Sequence, residues 1–414
     1  MIKEFYFGKE KRIVHCYHEC PDVAGIELQT IVNSALRQLN KLLDDTYNVY
    51  KTKYQAVTRP NLYAYICESN IKEVNAFTDG VDIYISVACM ISMHSYIKER
   101  LNTDKFNGEK LLPVGLEQSS EIRIYKNILE LIVAHELTHI WHRHGVWKKS
   151  ALQAETLSTS NYEDTVFSET VIVNGEPDMV AEGSYSVANL VSINGKILLN
   201  NPLDPNYIQQ ILEVDADCCA VRIVLMHLQR EVDSIVQKNL CGTEDENKKE
   251  IRAIISYHSY LIGLLMGAAG IMCGFFDSQR LGKPFDRLSV LLLSGHPVPA
   301  IRFIKMHETL LGLVHQYYSE ETVADILLSQ TSAFAIDIFM HDGTSKDLKN
   351  CFWAPAQTKE AQEFISYLEQ GWNLIRDSLQ QYALVDLPHK YPQNDMIVDS
   401  SMIWYDKYGN SLRP

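Results

Sequence analysis

The sequence predicts an α+β fold that is predominantly helical and contains one small sheet. Two observations support this class. One is an apolar pattern at the three- and four-residue spacing of an amphipathic helix, as in Ile26–Asn48. The other is a pair of short stretches, Leu62–Cys67 and Asp82–Val87, that are rich in β-branched and aromatic residues, as strands usually are.

Further elements follow in chain order from the same kinds of pattern. The turn Thr78-Asp79-Gly80 precedes the second strand. Helical spacing then predicts three more helices, and Gly145 is the expected C-terminal cap of the second of them. These helices are predicted at Ala88–Arg100, Ile122–His144 and Tyr207–Gln237.

By composition, the chain divides into three predicted regions and one insert. We expect a helical leader, a central domain and a helical C-terminal extension, at residues 1–60, 61–315 and 316–414. An insert of loops and short strands is predicted at about 146–206, because this stretch is rich in Ser, Asn, Gly and acidic residues. Its pairs Asn174-Gly175 and Asn194-Gly195 are hairpin turn signals. A charged loop is expected at Gly242–Glu250.

The overall composition is typical of a soluble globular protein. Of the 414 residues, 46% are hydrophobic and 22% are charged, and the net charge is -14. This acidic balance, without a block of Lys and Arg, argues against a nucleic acid or an anionic membrane as partner. The nine cysteines show no regular spacing, and the N-terminus has no apolar run. We therefore expect reduced thiols and a cytoplasmic protein.

One uncharged apolar stretch, Tyr260–Phe276, could be either a buried helix or a membrane segment. A membrane-spanning helix usually needs about 20 apolar residues, and this stretch is shorter. Its glycines have a spacing that lets helices pack closely. They are Gly263, Gly267, Gly270 and Gly274. We favour a buried helix over membrane association.

The predicted helix 122–144 carries the motif His135-Glu136-Leu137-Thr138-His139. Residues four apart on a helix differ by about 40° around the axis and about 6 Å along it, so both imidazoles can bind one cation. Glu136 lies one step around the helix and can reach a water on that cation. The spacing is that of HExxH metallopeptidases, in which two histidines bind zinc and the glutamate is the general base. The alternative is a core helix with two hydrogen-bonded histidines.

A catalytic zinc needs a third protein ligand, and the predicted helix 207–237 offers one. Glu213 and Asp217 lie four residues apart on one face of that helix. We predict that Glu213 completes the ligand set and that Asp217 accepts a hydrogen bond from a ligand histidine. An acidic face in solvent is the alternative. Apolar residues follow at once, however, and acids in such a helix need partners.

Two other groups of possible ligands are expected to play no part in metal binding. His142 and His144 follow the motif, and we interpret them as surface histidines or substrate contacts. The metzincin pattern is disfavoured because position 145, where it places a ligand, is glycine. An N-terminal group fits no structural zinc spacing, so ordinary side chains are expected there. Its members are His15, Cys16, His18 and Cys20.

With these motifs, the chain resembles the gluzincin family of the HtpX heat-shock peptidase and the CAAX prenyl endopeptidase. The resemblance covers roughly 62–310 and includes the histidine-rich run HELTHIWHRHG. It also includes Glu213 with Asp217, and the segment Asn75-Ala76-Phe77 ahead of a strand. It implies a zincin-like catalytic domain with a small sheet and an HExxH active-site helix.

The resemblance also implies a role for each matched residue. One zinc ion is bound by three side chains, those of His135, His139 and Glu213. Glu136 is the general base, and His296 in Ser294-Gly295-His296-Pro297 stabilises the oxyanion that develops during hydrolysis. An edge strand binds an extended substrate through main-chain hydrogen bonds. The residues matched to that strand are Asn75, Ala76 and Phe77.

The expected function is a zinc-dependent endopeptidase that hydrolyses protein or peptide substrates with metal-activated water. The chain departs from the family in its insert, in the 320–414 extension and in the absence of flanking transmembrane pairs. A weaker similarity, through Asp-Ala-Asp-Cys and a short His-Pro element, is to Lit-type phage-exclusion peptidases. A narrow-specificity stress or phage-defence protease is thus one expected biology. The alternative is a catalytically silent, metallopeptidase-like binding or regulatory module.

Overall fold

The computed structural model is an α+β protein in which helices predominate, so the predicted class is confirmed at that level. It describes residues 1–7, 10–21, 25–101, 120–156, 205–239, 244–276, 297–317 and 359–389, together with four short strands between 172 and 199. One five-stranded sheet lies in the N-terminal part of the chain, and long helices form most of the other described residues.

The elements have the following bounds within those ranges. The helices are α1 (Ile26–Tyr50), α2 (Val87–Leu101), α3 (Ser120–His142), α4 (His144–Thr156), α5 (Pro205–Asn239), α6 (Glu244–Phe276), α7 (Pro299–Tyr317) and α8 (Lys359–Gln380). The strands of the sheet are β1 (Ile2–Phe7), β2 (Glu10–Tyr17), β3 (Leu62–Cys67), β4 (Ala76–Thr78) and β5 (Ile83–Ser86). Two hairpins are formed by β6 (Ile172–Val173) with β7 (Glu176–Pro177) and by β8 (Leu190–Ile193) with β9 (Lys196–Leu199).

Most predicted elements lie where their patterns indicated. The helices α1, α2 and α5 and the strands β3 and β5 agree with the predictions to within a few residues. The two hairpins flank the Asn-Gly pairs at 174–175 and 194–195, as expected from their turn chemistry. In the C-terminal extension, the structure describes the helix α8.

The N-terminal leader is not wholly helical, because β1 and β2 precede α1. Both strands join the main sheet, which has the order β1-β2-β3-β5-β4. Only β3 and β5 are parallel, and β4 is an edge strand. The apolar alternation in β2 is short, with Val14 and Cys16 buried after the charged start Glu10-Lys11-Arg12. Sequence inspection missed this strand because the charged residues mask its pattern.

The two faces of the sheet contact different clusters of side chains. Leu62 and Ala64 of β3 face the main helical core, whereas Tyr63 and Tyr65 belong to a separate aromatic cluster with Phe77. Successive side chains of a strand point to opposite faces, so a strand that is covered on both sides shows an almost continuous apolar sequence. This explains why β3 is easy to recognise.

The helix α3 lies at the centre of the helical core. It packs against α1, α2, α5 and α6, and its residues Leu131, Val133 and Ala134 are 0% exposed. A helix that is apolar on all sides is a buried helix. The HExxH motif therefore lies on a largely buried helix, in which His139 is partly exposed.

The helix α3 ends earlier than predicted, and the expected C-terminal cap at Gly145 is wrong. The chain leaves the helix at Arg143, whose φ is 55°, and Gly145 lies inside α4. A left-handed conformation at a residue with a side chain costs about 1–2 kcal/mol. Burial of His144 and Trp147 directly after the turn offsets this cost.

The expected charged loop at 242–250 is also wrong for most of its length, since α6 begins at Glu244. Its Glu and Lys residues are good helix formers, and acidic residues near a helix N-terminus stabilise it. The apolar part of α6 is long and apolar enough to cross a membrane by length and composition, with a mean hydropathy of 1.8 over its best window. That window is 89% buried inside the protein, where α6 packs against α3, α5 and α7.

An ion pair joins three core helices at some distance from the HExxH motif. Arg123 of α3 donates to both carboxylate oxygens of Glu231 on α5, at 2.7 and 3.3 Å. Tyr257 of α6 donates to Glu231 Oε1 at 2.6 Å. Burial opposes the ionised carboxyl, but Arg123 outweighs it and lowers the pKa of Glu231 from 4.5.

Glu231→Gln is expected to lower the free energy of unfolding by about 1–2 kcal/mol at neutral pH, because a charge-assisted hydrogen bond is lost. The folded-state pKa lies below the unfolded one, so this stabilisation is complete above about pH 4.5 and is lost as the pH falls through the folded value. Urea unfolding at pH 7.5 and pH 3.5 measures the difference. Asp233→Asn, on the exposed side of α5, is the control, and equal differences at both pH values would contradict the prediction.

Candidate metal centre

Three predicted ligands meet between α3 and α5. The Nε2 atoms of His135 and His139 are 3.0 Å apart. Glu213 Oε2 lies 3.1 Å from His135 Nε2, and Glu213 Oε1 lies 3.6 Å from His139 Nε2. Two ligands on one tetrahedral zinc, each at about 2.0–2.1 Å, are about 3.3 Å apart. The three donor atoms are therefore spaced like the corners of a small metal site.

Burial adds to the case for a metal centre. Glu213 is 0% exposed, His135 is buried, and His139 is partly exposed. A buried carboxylate is costly unless a cation or strong hydrogen bonds compensate it. The exposed side of His139 leaves one direction from which water or a ligand can approach. The structure thus offers two imidazoles and one carboxylate that could hold a metal ion.

Residues outside the predicted site hold Glu213 in place. Gln209, one turn earlier on α5, donates from its amide to Glu213 Oε1 at 2.6 Å. Lys148 of α4 donates a hydrogen bond from Nζ to the amide oxygen of Gln209, Oε1, at 2.7 Å. Sequence reasoning missed both residues. The spacing of four residues between Gln209 and Glu213 was the available signal.

Asp217 lies where it was predicted to act, beside a ligand histidine. Its Oδ1 is 2.9 Å from His135 Nδ1. Arg302 of α7 binds the same carboxylate through Nε at 2.7 Å and Nη2 at 2.8 Å. Burial alone would raise the pKa of Asp217, but Arg302 and His135 outweigh it and lower the pKa to about 2. Asp217 is therefore ionised and orients His135 with its Nε2 towards Glu213.

The two candidate ligand histidines, His135 and His139, lie beside negatively charged side chains. Burial disfavours a charged ring, but Asp217 and Glu213 outweigh it and raise the pKa of His135 well above its usual value. For His139, burial lowers the pKa and Glu213 raises it, and the pKa is raised on balance. Each ring must lose its proton to bind a metal, so binding releases protons and weakens as the pH falls.

Glu136, the predicted base, is buried on α3 next to His135. Its charge contributes to raising the pKa of His139, so it lies within electrostatic range of the metal ligands. His296, the predicted oxyanion residue, lies outside the described residues.

The prediction for His142 and His144 is wrong, because both side chains are buried and neither lies at the surface. His142 Nδ1 is 2.5 Å and His144 Nε2 is 3.1 Å from Asp215 Oδ2. Burial lowers the pKa of His144 to about 4, against the opposing effect of Asp215. The bend at Arg143 turns His144 towards α5, and a straight helical projection did not show this.

His142, Asp215 and Cys219 form the second group of potential metal ligands among the described residues. The 2.5 Å separation of His142 and Asp215 is shorter than the roughly 3.3 Å expected between two ligands of one tetrahedral ion. It is a hydrogen-bond distance. In this structure the two side chains therefore contact each other through a hydrogen bond.

The N-terminal histidine and cysteine group does not converge on a common point. His15 contacts Glu68 at 2.5 Å, and the His18 ring packs on Tyr63. Cys16 and Cys20 are buried in different apolar clusters. These side chains have the ordinary structural roles that were expected.

The predicted substrate segment lies at the edge of the sheet and packs against α3. Asn75 and Phe77 are buried, and Ala76 is partly exposed. The Ser86 N–H donates to the Asn75 carbonyl at 2.9 Å, so the main chain of Asn75 faces β5. Because main-chain groups alternate along an antiparallel pair, the N–H and C=O of Ala76 face away from β5, towards the open edge.

Asp217→Asn is expected to weaken zinc affinity by about 10–100-fold, because His135 loses its charged partner. It also leaves the Arg302 guanidinium buried beside a neutral amide, which costs about 3–5 kcal/mol of stability. Competition with a fluorescent chelator and urea unfolding measure the two effects. Glu369→Gln removes a carboxylate from the buried ion pair of Lys305 and is the control. Unchanged zinc affinity in Asp217→Asn would contradict the assigned role.

Comparisons of the chain with protein-family models, with curated proteins and with solved structures found no match. The geometry of the site itself is therefore the basis for proposing a function. That geometry comprises two imidazoles and a buried carboxylate spaced for one ion, with a second carboxylate that orients a ligand ring.

Proposed function

We propose that this protein is a zinc-dependent endopeptidase. The observation that carries the proposal is the convergence of His135, His139 and Glu213 with donor spacings of 3.0–3.6 Å. Two nitrogen ligands and one carboxylate oxygen, with a fourth position left open, are the ligand set of catalytic zinc sites. The HExxH spacing of the two histidines favours zinc, although the same ligand set also suits other transition metals such as iron(II).

The chemistry needs an activated water and a base beside it. His135, His139 and Glu213 would hold the ion, and a bound zinc would lower the pKa of its water to about 7. Glu136 follows His135 on α3, so its carboxylate can take a proton from the attacking water and deliver it to the leaving amine.

The edge strand β4 supports a peptide as substrate. It packs against α3, and the main chain of Ala76 is available at its outer side. An extended peptide can pair there as a further strand, with hydrogen bonds that do not depend on sequence. In this proposal Asn75 and Phe77 fix the strand from the buried side, and His296 stabilises the oxyanion. A small sheet whose edge lies on the HExxH helix also supports a zincin-like domain.

The proposal is tested by metal analysis and by cleavage of a peptide library. The purified chain is expected to contain one zinc per molecule, and mass spectrometry is expected to find new peptide termini that disappear with a chelator and return with zinc. Zinc binding without cleavage of any library or lysate protein would contradict a peptidase. It would favour a metallopeptidase-like binding module.

A further inference from the structure

The second ligand histidine has an unusual partner. His139 Nδ1 lies 2.8 Å from His144 Nδ1, and the two rings are close to perpendicular, at 80°. His144 is 1% exposed. Two imidazole nitrogens at this distance share one proton, because one must donate and the other must accept.

The position of that proton follows from the metal centre. His139 Nε2 faces His135 and Glu213, so it is the nitrogen that binds the ion. A neutral imidazole that binds metal through Nε2 carries its proton on Nδ1. The Nδ1–H of His139 therefore donates, and His144 Nδ1 accepts. His144 must then carry its own proton on Nε2.

Asp215 fixes His144 in that tautomer. His144 Nε2 lies 3.1 Å from Asp215 Oδ2, so its N–H donates to the carboxylate. His142 Nδ1 donates to the same oxygen at 2.5 Å, and the Cys219 thiol donates to Oδ1 at 3.8 Å. The hydrogen bonds from His144 and His142 satisfy Oδ2 of the buried Asp215 carboxylate, and the longer Cys219 contact lies on its other oxygen. Every donor in the chain of hydrogen bonds finds an acceptor.

We propose that His144 and Asp215 are positioning residues for the metal ligand His139, which they orient through a chain of hydrogen bonds from His139 Nδ1 to His144 and on to Asp215. This role rests on the metal centre of the proposed function and not on the identity of the substrate. The two ligand histidines are supported in different ways. His135 contacts the carboxylate of Asp217 directly, whereas His139 contacts a neutral imidazole whose tautomer a carboxylate sets.

A pair of amide substitutions at His144 tests the proposal. In His144→Asn the amide oxygen occupies the place of Nδ1 and can still accept from His139. In His144→Gln the amide occupies the place of Nε2, near Asp215, and leaves His139 Nδ1 without its acceptor. We expect the Gln variant to bind zinc about 10–100-fold more weakly than the wild type and the Asn variant to stay within about fivefold. Competition with a chelator gives the zinc affinity, with circular dichroism to compare folding.

Equal zinc affinity in the two His144 variants would overturn the proposal. Nitrogen-15 NMR of the zinc-loaded wild type gives a second readout that needs no variant: the His144 proton is expected on Nε2, and a proton on Nδ1 would overturn it too. Cys219→Ala is the control. The Cys219 thiol contacts Asp215 but is not part of the chain of hydrogen bonds from His139 to His144 and Asp215, so zinc affinity should be unchanged. A wild-type chain that binds two zinc ions, and a Cys219→Ala variant that binds only one, would show a second metal site. That result would overturn the proposed chain of hydrogen bonds. If the wild type binds no zinc, the proposed function fails first.

Discussion

Glu136→Gln is expected to bind zinc as tightly as the wild type and to cleave peptides about 100–10,000-fold more slowly, because the amide cannot accept a proton from water. The substitution keeps the shape of the side chain and leaves the three ligands unchanged. It therefore separates the base from the metal site. Zinc content by mass spectrometry and kcat/KM on a cleaved library peptide measure the two effects.

Glu130→Gln is the matched control for this prediction. Glu130 lies on the same helix, is buried to 1% exposure and accepts a hydrogen bond from Gln38. Six residues along α3 correspond to about 9 Å, which places Glu130 away from the reacting groups. Activity comparable to the wild type is expected for Glu130→Gln. Wild-type activity in Glu136→Gln would mean that another residue is the base.

Glu213→Gln is expected to remove stoichiometric zinc binding, since it takes the only charged ligand from a site of three. The loss of affinity should exceed the 10–100-fold that the loss of a supporting residue causes. A ligand that binds only the folded state stabilises it, by about 4 kcal/mol when its concentration is 1,000 times the Kd. A chelator should therefore lower the Tm of the wild type and leave the Tm of Glu213→Gln unchanged.

Glu231→Gln on the same helix controls for this second prediction. It lowers stability without touching the metal site, because 18 residues of α5 separate the two acids by about 27 Å. It should therefore keep one zinc per chain and a Tm that responds to a chelator. Loss of zinc from both variants would indicate that zinc content follows stability alone. One tightly bound zinc in Glu213→Gln would exclude Glu213 as a ligand.

The predicted residues that the structure brings close together are those related by helical geometry. The spacing of four in His135 and His139, and again in Glu213 and Asp217, places each pair on one helix face, whatever the rest of the fold. The structure brings the two pairs together between α3 and α5, with Asp217 against His135. A short motif thus predicts which residues share one face of a helix, but not how two helices come together.

The residues that the sequence missed depend on how the chain bends and packs. Asp215 lies between Glu213 and Asp217, the two acids that the sequence singled out. Its partners cannot be predicted without the turn at Arg143, which directs His144 towards α5. Arg302 reaches Asp217 from α7, far along the chain, and no spacing rule connects them. The strand β2 was missed for a different reason, since its short alternation follows directly on three charged residues.

The bidentate contact of Arg302 with Asp217 has a thermodynamic consequence. Because Arg302 of α7 holds Asp217, which contacts His135, the packing of α7 affects the position of His135. Metal affinity at the proposed site and the stability of α7 packing are therefore linked. Linkage is reciprocal: if docked α7 tightens metal binding by some factor, bound metal favours the docked helix by the same factor. Amide hydrogen exchange in α7 should therefore slow when zinc is added, although none of the three ligands lies on that helix.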